Sequence, residues 1–488
     1  MTNNFLQNHS RPQALCLVLC LSALLLAGRV AWAEGSDSQQ LELAGVPYLV
    51  KDIYPGYPDS GSYGLTAVMD RVFFVADDGV NGLELWKSNG TQAGTVLVKN
   101  INPGNQDADP NMLTAVNDTL FFQARDGSHG LELWKSDGTE SGTQLVKDIS
   151  LGDEGQPTWL VDFNGTLFFS VDDGTHGREL WKSDGTFLGT ELVKDINSGL
   201  GASNPYDLTA VGDQLFFSAN DGQHGRELWV SDRTPEGTQL IKDIFLGAGT
   251  SEPVNFVAFG GSLFFNADDG NSGRELWISD GTEAGTALVK DINLGPNSSD
   301  PYFLTAMEDS FYFRASDGAF GIELWKSDGT SAGTILVKDI NPGSESSFVD
   351  ELTPSDAVLY FVAEDGNHGA ELWLSDGTQA GTHLVRDIYP EAGSSFPSGL
   401  STISDQVFFS ADDNTGIGIE LWTSDGTLAG TQLVADICKT GGSSLPRELT
   451  AIERRLYFSA TDENHGFELW ALDWDFRFFL PFVGREGP

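Results

Sequence analysis

Between residues 48 and 474 the chain alternates short apolar runs with clusters of Gly, Asp, Asn, Ser and Thr, and no run keeps helical spacing over ten residues or more. One stretch shows the pattern. Leu113-Thr114-Ala115-Val116 reads as a strand and Asn117-Asp118 as its turn. Leu120-Phe121-Phe122-Gln123-Ala124 reads as a second strand, apolar on both faces. Asp126-Gly127-Ser128-His129-Gly130 is a loop, since glycine allows the positive φ of tight hairpins. Leu131-Glu132-Leu133-Trp134-Lys135 is a third strand. A turn from Ser136-Asp137-Gly138-Thr139 to Gly142-Thr143 follows it. Gln144-Leu145-Val146-Lys147-Asp148-Ile149 is the fourth.

This four-strand unit recurs. Glu-Leu-Trp starts at Glu84, Glu132, Glu179, Glu227, Glu275, Glu323, Glu371, Glu420 and Glu468, at intervals of 47 to 49 residues. Four antiparallel strands in that length make one propeller blade. Paired aromatics such as Phe73-Phe74, Phe264-Phe265 and Tyr360-Phe361 fill one slot in every unit. A strand apolar on both faces must be covered on both, as it is between blades. The repeated tryptophans are expected between blades too; sugar stacking is the rival role for them. Tyr48-Leu49-Val50-Lys51-Asp52-Ile53 is a fourth strand without its first three, and the unit ending at Trp470 lacks a fourth. The expected fold is an all-β propeller of nine four-stranded blades, one of them closed by three strands plus one. The alternatives are eight blades with a spare unit, an open arc, or a last strand drawn from residues 476–483.

The N-terminal segment makes a location outside the cytoplasm the expectation, and the charge is compatible with it. An apolar run over residues 14–28, preceded by Arg11 and followed by Ala31-Trp32-Ala33, reads as a secretory signal peptide over 1–33. The expected organisation continues with a linker over 34–47, the propeller over 48–474 and a tail over 475–488. Loss of the signal removes Cys16 and Cys20 and leaves Cys438 without a partner, so the core and not a disulfide must hold the fold. The net charge of −44 repels nucleic acid and anionic lipid, while 11% aromatic residues argue against disorder. No other run is apolar enough to span a membrane. The expectation is a secreted or cell-surface monomer.

Candidate chemistry concentrates in the loop between second and third strands. It carries Asp78, Asp126, Asp173, Asp221, Asp269, Asp317, Asp365, Asp413 and Asp462, the first seven followed by glycine. A face of carboxylates suits Ca2+, which takes six to eight oxygens; no Asp-x-Asp-x-Asp-Gly loop is present, and aspartate before glycine is also a turn former. His129, His176, His224, His368 and His465 lie in the same loop, each in a different unit, too scattered for a shared zinc site. The spacing Ala76, Asp78, Gly82, Trp86 loosely matches the tryptophan-docking repeat of quinoproteins, which supports a blade and no quinone cofactor. No Gly-x-Ser-x-Gly, His-Glu-x-x-His or phosphate-binding Gly-x-x-x-x-Gly-Lys occurs. Trp159, Asn164 and the Asp107/Asp109 pair break the repeat without forming a recognisable site.

Trp134-Lys135-Ser136-Asp137-Gly138-Thr139 with Gly142-Thr143 resembles the bacterial ELWxxDGT repeat family, over about residues 48–474. Asn89, Arg233 and the ninth unit's Trp470-Ala471-Leu472-Asp473-Trp474 depart from its pattern. The resemblance implies an exported, propeller-like protein and brings no catalytic residues. The leading expectation is a non-enzymatic binding or scaffold propeller for an extracellular protein or glycan, because the strongest variation lies in blade-to-blade loops such as 105–112, 152–158 and 343–350. The alternative is a secreted propeller hydrolase or lyase, with carbohydrate as one candidate substrate; a third reading is a module of a larger surface assembly. An enzyme should show one unit whose pocket-side residues depart strongly from the repeat.

Overall fold

A computed structural model describes residues 45–151 and 155–474. The segments expected as signal peptide and tail, and most of the expected linker, lie outside the described residues. Thirty-six strands form nine four-stranded antiparallel sheets, with no helix among the described residues. The first blade is Tyr63–Val68, Arg71–Asp77, Leu83–Ser88 and Val96–Lys99, in that order across the sheet. The ninth is Arg447–Ile452, Arg455–Ala460 and Glu468–Asp473, completed by Tyr48–Lys51 from the other end of the chain. Leu49 pairs with Trp470 and Tyr48 with Ala471. The nine-bladed, three-plus-one propeller is therefore the observed fold, and the eight-bladed ring and the open arc are not.

First strands of successive blades lie against one another all the way round, blade nine against blade one included, so they are the inner strands of a closed ring. Between blades run the apolar layers. Trp86, Trp134, Trp181, Trp229, Trp277, Trp325, Trp373, Trp422 and Trp470 are only 3–7% exposed. Each packs on the preceding blade, as Trp277 does on Phe216, Leu228 and Ile241. Sugar stacking by these nine is thereby corrected: their rings have no open face. Outer-strand lysines add a polar staple. Lys99 Nζ donates to Thr143 O of the next blade at 2.8 Å and sits over the Trp134 ring. Lys51, Lys147, Lys242, Lys290 and Lys338 repeat the hydrogen bond. At the ring closure Asp473 bonds both Arg455 and the Tyr48 hydroxyl, and Arg455 Nη1 reaches Asn89 O of blade one at 2.6 Å.

The Ser-Asp-Gly-Thr turn is tied as a hydrogen-bonded knot. Asp137 Oδ1 accepts from Thr139 N and Oγ1 at 2.8 and 2.7 Å, and Ser136 Oγ pairs with Thr143 Oγ1 at 2.7 Å. Its third position lies at φ 84 in Gly138 and at φ 81 in Arg233, which takes the place of that glycine in the fourth unit. Arg233 is held in that conformation with its guanidinium 4.5 Å from the Phe163 ring centre. One expected strand is shorter than the apolar run suggests. The fourth strand of blade two ends at Lys147, because Ile149 N turns away to bond the Glu132 carboxylate.

Candidate active site at the channel mouth

The glutamate of each Glu-Leu-Trp is fully buried, although it is the most polar residue of its strand. Glu227 shows why. Its Oε2 accepts from Ile244 N at 2.9 Å and Ser251 Oγ at 2.6 Å, and its Oε1 accepts from Phe245 N and Ser251 N. One carboxyl thus clasps both ends of the connection that leaves the outer strand and crosses to the next blade. Glu179, Glu371 and Glu420 do the same. Buried backbone N–H groups must be paired, and here a side chain supplies the acceptors.

The clasp sets the backbone that follows. Each connection enters its inner strand through two left-handed residues three apart, and the second is a bulge in the strand pairing. The first positions are Gly61, Asp109, Gln156, Asn204, Glu252, Asp300, Phe348, Phe396 and Leu445. The second are Gly64, Met112, Trp159, Asp207, Asn255, Phe303, Glu351, Gly399 and Glu448. Glycine suits this conformation, yet only blades one and eight use it at the second position. In the other seven blades a side chain is held there against a cost of about 1–2 kcal/mol. These residues ring the mouth of the central channel, on the face that carries the blade-to-blade connections. They differ from blade to blade, in contrast to the Glu-Leu-Trp of the same units.

In blades three to five the ring is braced by an arginine just before Glu-Leu-Trp. Arg178, Arg226 and Arg274 each donate from Nη1 to the carbonyl of a first-position residue, Gln156, Asn204 and Glu252, at 2.7–2.8 Å. In the sequence these arginines are marked only by their presence in three consecutive units. Arg226 also lies 4.5 Å from the Tyr206 ring centre, and the Tyr206 hydroxyl donates to Glu252 at 2.9 Å. Trp159 stands against the same tyrosine, ring centres 6.0 Å apart, with 47% of its surface exposed.

Three mouth carboxylates reach to the next blade. Asp207 accepts from Asn255 N at 2.9 Å, Glu351 from Gly399 N, and Glu448 from Gly64 N. Burial holds the Asp207 carboxyl above the usual carboxylate range, although the Asn255 N–H opposes it. A half-buried carboxyl that holds its proton more tightly than usual is suited to general acid chemistry.

The loop aspartates read as calcium ligands in the sequence are not brought together. Asp78, Asp126, Asp173, Asp221, Asp269, Asp317, Asp365, Asp413 and Asp462 each turn inward and accept N–H bonds from their own loop, as Asp269 does from Asn271 and Ser272. Five also bind a histidine Nδ1 of the same loop, as Asp221 binds His224 at 2.8 Å. Among the described residues no three His, Cys, Asp or Glu side chains converge as a metal site would require. Of the residues that broke the repeat, Trp159 and Asp109 do lie at the mouth. Asn164 belongs to a hairpin turn of the opposite face, where its amide reaches Gly212 O of the next blade.

These groups give the ring a pH dependence. Burial pushes the Glu84 carboxyl up to about 8 and those of Glu132, Glu227, Glu323, Glu371 and Glu468 to about 7, outweighing the N–H groups that bond them. A carboxyl that holds its proton more tightly when folded stabilises fully at low pH, and that stabilisation is lost as pH rises from about 4.5 to about 8. Bonding to aspartate raises His129, His176, His224 and His368, a contribution that also fades as pH rises. The turn aspartates Asp137, Asp184, Asp280 and Asp328 are lowered by the threonine hydroxyls that bond them, so their contribution is lost in acid. The melting temperature should therefore peak near pH ~5 and fall toward pH ~8. A melting profile that keeps rising over that interval would contradict the assignment.

No family model and no curated protein matches the chain. Solved structures are similar at low identity. A puromycin hydrolase matches at 13% identity and a TM-score of 0.36, over 86% of this chain and 61% of its own. A mutant of that enzyme complexed with PGG gives 14% and 0.37 over the same shares. A structure from work on two prolyl endopeptidases gives 14% and 0.39, over 66% of this chain and 48% of its own. The chain spans about half to three fifths of the length of these proteins. The expectation of a non-enzymatic binding or scaffold propeller is corrected to this extent: the solved structures named here are a hydrolase and prolyl endopeptidases, and at 13–14% identity the likeness is one of fold.

Proposed function

We propose that this chain is an exported propeller hydrolase or lyase of the ELWxxDGT repeat kind, acting on a substrate held in the channel mouth. The observation that carries the reading is the ring of second-position residues. Side chains as different as Trp159, Asp207, Phe303 and Glu351 occupy a left-handed site that the fold could fill with glycine. Strained, varied positions on a rigid scaffold are where function is placed. Asp207 is the acid. In hydrolysis its proton goes to the leaving group as the bond to that group breaks. Water supplies the hydroxyl to the other fragment, and its remaining proton restores Asp207. A lyase needs the same protonation of the leaving group, with the second proton taken from the substrate carbon.

The test is a screen of the purified full chain against glycan and peptide panels, with new chain ends read by mass spectrometry. Asp207→Asn should keep the fold and lower kcat by about 10²–10⁴-fold, with KM little changed. Cleavage by Asp207→Asn at the rate of the unaltered protein would remove Asp207 from the reaction.

A further inference from the structure

We infer that Trp159 and Tyr206 form a sugar-binding subsite of the mouth, so that the substrate class is carbohydrate; this rests on the reading of the mouth as the substrate site. Trp159 differs from the repeat tryptophans in every respect that bears on binding. Those nine are 3–7% exposed and sealed between blades, whereas Trp159 is 47% exposed on the bulge of an inner strand. Nothing in the fold asks for an indole there: the equivalent residues are Gly64, Met112, Asp207, Asn255, Phe303, Glu351, Gly399 and Glu448.

The indole stands against a fixed tyrosine. The Tyr206 ring is tilted 38° from Trp159 at 6.0 Å, has the Arg226 guanidinium 4.5 Å from its centre, and its hydroxyl is anchored on Glu252. Arg226 in turn is held by Asn204 O. Three planar groups locked in this way lose little freedom when a ligand arrives, which favours binding. A pyranose ring presents a face of C–H groups to an aromatic plane and hydroxyls around its rim. An amphipathic aromatic platform with polar neighbours matches that pattern. The neighbours along the chain and across the blades are hydrogen-bonding residues of the kind that address hydroxyls: Gln156, Asn204, Asp207 and Glu252. The arginines of this arc are engaged on main-chain carbonyls, and Arg226 also faces Glu252 at 3.9 Å. The arc is therefore built for a neutral ligand more than for one ionic side chain. Asp207 follows Tyr206 directly in the same inner strand, so the proposed acid and the platform share one blade of the mouth.

The experiment separates binding from turnover. The full chain would be run by affinity electrophoresis through gels containing cellulose-derived, xylan, chitosan-free chitin-derived or starch-type soluble glycans, and titrated calorimetrically with the matching hexasaccharides and with an unrelated hexapeptide. At least one neutral glycan should retard the protein. Trp159→Ala should weaken that binding at least tenfold, while Trp159→Tyr keeps most of it and Phe187→Ala, exposed on the opposite face, leaves it unchanged. Equal binding by Trp159→Ala and the unaltered protein would overturn the subsite, as would binding of the peptide and of none of the glycans. Glycan binding that depends on Trp159 without any cleavage would uphold the subsite and overturn the hydrolase or lyase reading. Cleavage of peptides untouched by Trp159→Ala would do the reverse.

Discussion

Glu227→Ala should lower the stability of the ring by about 3–5 kcal/mol, read as a lower urea midpoint of unfolding. The carboxyl is fully buried and receives three backbone N–H groups and the Ser251 hydroxyl. Alanine removes every acceptor at once and leaves donors without partners inside the connection. Each buried unpaired donor costs about 1–3 kcal/mol, reduced where water can enter the vacated space. Glu227→Gln keeps the size and one carbonyl acceptor, so its loss should be smaller. It should also remove one of the nine groups that weaken the fold as pH rises. A loss under about 1 kcal/mol for Glu227→Ala would show that the clasp is dispensable.

Trp277→Ala should cost about 3–5 kcal/mol. The indole is 6% exposed and packed among Val211, Phe216, Leu228, Ile241 and Ile244 of the preceding blade. Both blades are held in a closed ring and cannot collapse into the vacancy, so the transfer loss and the cavity add. Trp277→Phe should cost much less, since the indole N–H has no hydrogen-bond partner in the structure. Equal losses for alanine and phenylalanine would point to a hydrogen bond of the indole instead of its packing.

Much of this architecture was legible in the sequence. The Glu-Leu-Trp interval gave the number of units, the alternation of apolar runs and turns gave four strands in each, and Tyr48 to Lys51 gave the closing strand. The burial of the tryptophans followed from their recurrence, and the knot at Asp137 and Thr139 from its residue types. These features are local, or are repeated nine times, so periodicity alone reports them.

The candidate site was legible only in fragments. Trp159 and the Asp107/Asp109 pair stood out as irregular, while the invariant Glu of Glu-Leu-Trp had no assigned task. The nine loop aspartates drew attention as metal ligands because they recur, yet each closes its own turn. Recurrence marked what the fold needs in every blade; the residues that vary are the ones at the mouth.

The sequence by itself determined the blade, its turns, the blade count and the inter-blade layer, because hydrophobic period and turn chemistry act over a few residues. Tertiary structure decided the rest. The left-handed bulge at Asp207 depends on a connection clasped by Glu179, 24 residues before Ser203. Trp159 meets Tyr206 only because two inner strands from neighbouring blades are pressed together around one axis. Such contacts join residues whose types carry no mark of the partner, so ring closure, and not spacing along the chain, assembles the mouth.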